Sequence, residues 1–227
     1  MFWRPIPRRV SITLMVVFVK TPAETKKLAY GIAKKFLKTL TIHSAPHALI
    51  ISLEGNLGAG KTTFTQGFAR GLGIQEKIAS PTFVVLKRYG IPIPRKQSRI
   101  IRSHWLYHID CYRLKSVREL EQLGFASIVQ EPGAVVLIEW GDRVHRALPK
   151  HTLRIRFRHA GENRRHIIFT NTPNSAIAFS QPSADAELGV VKSSLLTTKH
   201  RERATRPPEA GSLRRKGNGG IRFRVKK

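Results

Sequence analysis

The segment Gly55-Asn56-Leu57-Gly58-Ala59-Gly60-Lys61-Thr62-Thr63 constrains this chain more than any other. It matches G-x-x-x-x-G-K-[ST], preceded by the apolar run Ala48–Leu53 (ALIISL) and followed by residues at helical spacing. The glycines let backbone N–H groups converge on one point, and the helix that starts there adds the positive end of its dipole. That arrangement holds phosphate. Lys61 is placed to reach β- and γ-phosphate oxygens, and the Thr62 hydroxyl to take one position around Mg²⁺. A buried strand, a glycine-rich turn and a helix in this order predict an α/β fold of the P-loop NTPase type. It has three layers, with a mostly parallel sheet at the centre.

The elements on either side agree with that architecture. Val10–Val19 is rich in β-branched residues and predicts a first strand. Arg4, Arg8 and Arg9 precede it as in a signal peptide, but no small-residue cleavage site follows, and ten residues are too few to span a bilayer. Met15 is a candidate start, which makes 1–15 an N-terminal extension. Thr21-Pro22-Ala23-Glu24 is a capping box, and Leu28, Ala29, Ile32, Ala33, Phe36 and Leu40 continue it as an amphipathic helix over 22–40. A helix over 62–72 closes at Gly73. Strands are expected at 82–89, 105–110 and 135–139, with a short helix from the Ser116/Glu119 capping box to Gly124. Residues 152–158 and 165–170 read as a C-terminal hairpin turning through Gly161-Glu162-Asn163. The P-loop domain is thus expected over 16–170.

Positive charge runs through the whole chain. The chain carries 41 Lys+Arg against 14 Asp+Glu, a net +27. Residues 171–227 hold 12 of those cations and 4 of the acids, so the tail contributes +8 and residues 1–170 the other +19. Ser, Thr, Pro, Lys and Arg dominate from Asn171 onward, which predicts a disordered basic tail. Gly90–Ser103 adds Arg95, Lys96, Arg99 and Arg102 with no acid, a basic loop. A field of this sign and size suits phosphate-bearing partners. The single cysteine, Cys111, excludes an intramolecular disulfide and suits a reducing, cytoplasmic setting.

Three further places carry candidate chemistry. Glu139 ends an apolar strand, where a carboxylate serves the Mg²⁺ shell from beside the loop. Asp110 ends another strand, in His108-Ile109-Asp110-Cys111-Tyr112-Arg113, and is a candidate for orienting or deprotonating water. Ser80-Pro81-Thr82-Phe83 is a polar turn from which Thr82 could sense a γ-phosphate. His108 and Tyr112 read as packing residues.

Taken in order, GNLGAGKTTF, SPTF, HIDCYRL, LGF and IEWGDR resemble the TsaE (YjeE) family, small P-loop ATPases of bacterial tRNA threonylcarbamoyladenosine synthesis. The resemblance runs from about Val16 to Phe169. It implies ATP phosphates at Gly58 to Thr63, Thr62 and Glu139 as Mg²⁺ ligands, Asp110 as catalytic carboxylate, and Ser80, Pro81 and Thr82 as a switch-like segment. It places Trp140 near the nucleotide, with Pro22 and the Gly161–Glu162 turn bordering the adenine. It implies TsaB-like and TsaD-like partners in moving a threonylcarbamoyl group onto adenosine 37 of tRNAs that read codons beginning with A, in the cytoplasm and without a membrane. The tRNA is met through that complex, with direct contact by the basic surface as a further expectation, and hydrolysis by the isolated chain is expected to be slow. Asn56 departs from the family, which most often has Asp there, and the tail has no counterpart in it. The alternatives left open are a small-molecule P-loop kinase, a GTPase switch (although no Asn-Lys-x-Asp follows the loop) and an RNA-binding protein acting through charge alone.

Overall fold

The computed structural model describes residues 13–42, 47–92, 105–171 and 190–192, all within one compact unit, Met1–Thr197. The expected basic loop falls largely on 93–104, and the expected tail on 172–189 and 193–227; both stretches lie outside the described residues.

Short, mostly apolar runs suit a strand covered on both faces. β2 (Leu49–Glu54) and β5 (Val135–Glu139) are such runs, every residue buried. They pair in parallel at the centre, flanked by β4 (Trp105–Asp110) on one side and β6 (Leu153–His159) on the other, both also parallel. β3 (Leu86–Gly90), β7 (Arg165–Asn171), β1 (Thr13–Val19) and β8 (Val190–Lys192) extend the sheet antiparallel at its edges, giving the order β3-β4-β5-β2-β6-β7-β1-β8. The parallel centre is the part that aims a site, because ligands of α/β sheets gather beyond the carboxyl ends of parallel strands.

Two helical layers cover the sheet. α1 (Pro22–Ile42) and α2 (Lys61–Gly71) lie on one face over Leu49, Ile51, Leu53, Val135 and Leu137. α3 (Val117–Gln122) and α4 (Phe125–Val129) cover the other, over Ile50, Val136 and Ile138. Alternation along β2 and β5 thus divides the core into two, as the period of two in a strand requires.

Local signals account for the helix ends. The Thr21 hydroxyl accepts the Glu24 N–H at 3.1 Å, and the Glu24 carboxylate takes the Lys20 N–H at 2.7 Å. α2 closes with the Gly73 N–H on Arg70 O and the Ile74 N–H on Ala69 O, a Schellman pair. The second capping box is half formed: Glu119 accepts the Lys115 N–H, while the Ser116 hydroxyl bonds that carboxylate instead of capping the backbone.

α1 and α2 meet at unusually short range. A Cβ on Gly67 would stand 2.4 Å from Lys26 O, and one on Gly71 2.5 Å from Tyr30 O. Gly67→Ala should therefore force the helices apart at a cost of roughly 1–3 kcal/mol. Urea unfolding of the two proteins checks this; an unchanged midpoint would contradict it.

Several boundaries differ from expectation. The strand expected at 82–89 begins only at Leu86; Thr82–Val84 are a turn, and Val85 has φ 63°. The reason is a chain reversal fixed by the Val84 and Val85 N–H groups on Pro81 O. The first strand starts at Thr13, so three residues of the expected N-terminal extension pair with β7. Within the expected tail, Val190–Lys192 adds to the open edge of β1, whose unpaired backbone groups favour any short β-branched segment. α4 and the 3-10 turn Gly141–Val144 have no counterpart in the expectations.

Candidate nucleotide site

The loop at Gly55–Gly60 leaves β2 at its carboxyl end and enters α2. Gly58 and Gly60 adopt φ 71° and 102°, the left-handed region that a side chain opposes. Gly55 is fixed by space as well: a Cβ there would lie 2.4 Å from Phe157 O. Gly60 caps α2 without a side chain, so the first N–H groups of the helix remain for an anion.

Lys61 is 5% exposed. Its ammonium donates to Gly55 O at 2.7 Å and Asn56 O at 2.9 Å, and sits 3.8 Å from the Trp140 ring centroid. Burial pulls its pKa below the ordinary lysine value, opposed by the charges of Glu139, Asp110 and Asp142. Trp140 holds its place by a left-handed backbone, φ 60°, an N–H bond to Leu53 O, and a ring contact with Tyr112 at 5.0 Å.

Alternation along β4 and β5 brings the carboxylates to this same place. Leu106, His108 and Asp110 share one face of β4, as Leu137 and Glu139 share one face of β5, and Asp110 is the register partner of Glu139. Glu139, 2% exposed, is held at both oxygens: Oε2 accepts the Thr62 hydroxyl at 2.8 Å, and Oε1 lies 2.9 Å from His108 Nε2. A carboxylate accepts only, so His108 Nε2 carries the hydrogen, and its buried Nδ1 is left without a partner. His108 is thus a positioning residue for Glu139 rather than simple packing. Its place two residues before Asp110 on one strand was the available signal.

Asp110, also 2% exposed, ties down the 80–82 turn. Its Oδ2 accepts from Ser80 at 2.5 Å and Thr82 at 2.7 Å, and its Oδ1 accepts the Tyr112 N–H at 2.9 Å. The two hydroxyls are themselves 2.8 Å apart. Pro81, buried, supplies the carbonyl that closes the turn.

These groups surround a cleft of about 330 Å³ whose lining includes Gly58, Gly60, Lys61, Thr62, Thr63, Ser80, Thr82, Asp110, Glu139 and Trp140, with Leu57 at the rim. Of the expected residues, Gly55 and Asn56 line instead a neighbouring depression of about 510 Å³ with Glu54 and Arg156, Pro81 is not part of the lining, and Ala59 is fully buried. Pro22 does not line the cleft. The Gly161–Glu162 turn is tied to the loop through Arg165, which donates to Gly58 O at 3.3 Å and to the carbonyls of Gly161, Glu162 and Arg164. No motif pointed to Arg165.

The groups facing the cleft are hydroxyls, carboxylates, an ammonium and free backbone N–H groups. They suit a polyphosphate and a hard cation with oxygen ligands. Among the described residues no cluster of three or more His, Cys, Asp or Glu stands ready to hold a metal by itself. None of their helices is long and apolar enough to cross a membrane.

Comparison with known proteins leads to the same family as the motifs. The family model described as "Threonylcarbamoyl adenosine biosynthesis protein TsaE" matches residues 19–167. The tRNA threonylcarbamoyladenosine biosynthesis protein TsaE of Bacillus subtilis is 39% identical over 153 residues, 67% of this chain and 83% of that protein. The protein of the same name from Rickettsia felis is 33% identical over 171 residues, 74% and 88% of the two chains. The crystal structure of B. subtilis YdiB superposes with a TM-score of 0.53 at 32% identity, covering 72% of this chain and 88% of that one.

Proposed function

The chain belongs to the TsaE family, and from that premise we propose that it is a Mg²⁺-dependent ATPase. It would serve the threonylcarbamoylation of adenosine 37 in tRNA, working with TsaB-like and TsaD-like partners. The single observation that carries this reading is the junction at Glu139. One buried carboxylate there joins the P-loop hydroxyl Thr62 to His108, one residue from the Trp140 ring that covers Lys61.

Each residue then has a task. The N–H groups at the start of α2 and the Lys61 ammonium bind the phosphate chain, Lys61 exchanging its bonds to Gly55 O and Asn56 O for phosphate oxygens. Thr62 and Glu139 are the oxygen donors fitted to hold Mg²⁺, which when bound neutralises charge on the phosphates. His108 keeps Glu139 facing the cleft. Ser80 and Thr82 form the turn nearest the γ-phosphate position. Asp110 accepts the proton of the attacking water once it releases one of its two hydroxyl partners. That release is a conformational step which a bound partner can drive, so the isolated chain turns over slowly. Trp140 and Arg165 fix the loop from its two sides.

Labelled ATP separates this reading from a small-molecule kinase. The protein with ATP, Mg²⁺ and a nucleoside panel should release inorganic phosphate and leave every nucleoside unmodified. A phosphorylated nucleoside would contradict it, and so would tighter binding of GTP than ATP.

A further inference from the structure

The face made by α1 and α2 carries a second concavity, of about 730 Å³, that shares no lining residue with the nucleotide cleft. Lys26 and Lys27 rise from α1, Arg70 from the last turn of α2, and Lys77 from the loop beyond it. Glu76 is the one acid among the lining residues, so these five side chains carry 4 − 1 = +3. No ion pair of the described residues involves them. Among the described residues the Arg70 guanidinium bonds the neutral Gln75 amide and pairs with no carboxylate. Tyr30 lies in the same lining, 44% exposed, with the Lys34 ammonium 5.6 Å from its ring centroid.

We propose that this groove binds the phosphate backbone of RNA directly, with the Tyr30 ring as a stacking face for an unpaired base. Cations spread along a groove beside an exposed aromatic ring are what a single-stranded or looped RNA segment needs. The short approach of α1 to α2 at Gly67 and Gly71 gives the groove a fixed floor, so its cations are displayed at set positions rather than on a mobile tail. Arg70 lies nine residues after Lys61, about 13 Å along α2 at the helical rise per residue. RNA in the groove and nucleotide in the cleft can therefore be held by opposite ends of one helix. The choice of RNA over other polyanions rests on the tRNA-directed reading above; the charge and shape of the groove do not.

The test uses the full chain without ATP or partner proteins, so its outcome leaves the ATPase reading untouched. Binding of a fluorescein-labelled tRNA transcript is followed by anisotropy across a salt series of about 50–200 mM. A groove variant, Lys26→Ala with Lys27→Ala and Lys77→Ala, is compared with a charge-matched control, Arg214→Ala with Arg215→Ala and Lys216→Ala. The groove variant should lose about tenfold or more in affinity and flatten the slope of log K against log salt by about two, the share of three phosphate contacts. The control should lose much less. Tyr30→Ala should weaken binding severalfold at unchanged slope, and none of the groove changes should alter ATP binding. Equal losses in groove variant and control would assign the binding to bulk charge and overturn the proposal. A wild-type chain that ignores the tRNA but binds polyglutamate would assign the groove to an acidic protein surface, and overturn it as well.

Discussion

Lys61→Ala should abolish ATP-dependent tRNA modification and lower ATP hydrolysis by at least about a hundredfold, the scale for losing one preorganised charge at a transition state. The side chain is almost wholly buried, so water cannot replace its charge. Its neighbours hold it poised: two loop carbonyls on one side, the Trp140 face on another. Removing it costs the fold little, because Asn56 O still accepts the Ala59 N–H and Gly55 is held by backbone packing against Phe157. The variant should therefore melt close to the wild type while losing nucleotide affinity in a calorimetric titration. Wild-type hydrolysis by Lys61→Ala would remove the lysine from the mechanism.

Glu139→Ala should be as damaging to activity and more damaging to the fold. Its carboxylate accepts from Thr62 and from His108 at once, and both donors lie in or beside the core. Alanine leaves the buried His108 with neither ring nitrogen paired, a cost of about 1–3 kcal/mol. It also removes the carboxylate oxygen proposed to hold Mg²⁺, so hydrolysis should fall about a hundredfold or more. Glu139→Gln separates the two effects. The amide oxygen can still accept a hydrogen bond, so much of the stability returns, but the charge does not. Its activity should stay low, with a weaker dependence on Mg²⁺ in both hydrolysis and nucleotide binding. A glutamine variant with full activity would show that Glu139 acts through hydrogen bonding alone.

The parts of this molecule that were legible in its sequence are those where one local rule decides. The G-x-x-x-x-G-K-T spacing, the mostly apolar β2 and β5, and the Thr21/Glu24 capping box each have one cheap solution, and the structure adopts it. Asp110 and Glu139 were legible as strand-end carboxylates, and strand register sets them side by side. The turn at 82–85 was not. Phe83 and Val84 look like strand residues, yet they stand 83% and 64% exposed, because the Ser80 and Thr82 hydroxyls pull the chain toward Asp110. That pull comes from a residue thirty positions away, which no local pattern contains. His108 and Arg165 were missed for the same reason: their roles are set by what lies across the sheet and across the loop.

The most direct test of the account is reconstituted threonylcarbamoylation of tRNA with the TsaB-like and TsaD-like partners, ATP and Mg²⁺, with and without this protein. Multiple turnovers of modified tRNA should require the wild-type chain and should not be restored by Lys61→Ala or Glu139→Ala. Equal yields of modified tRNA with and without it would contradict the account.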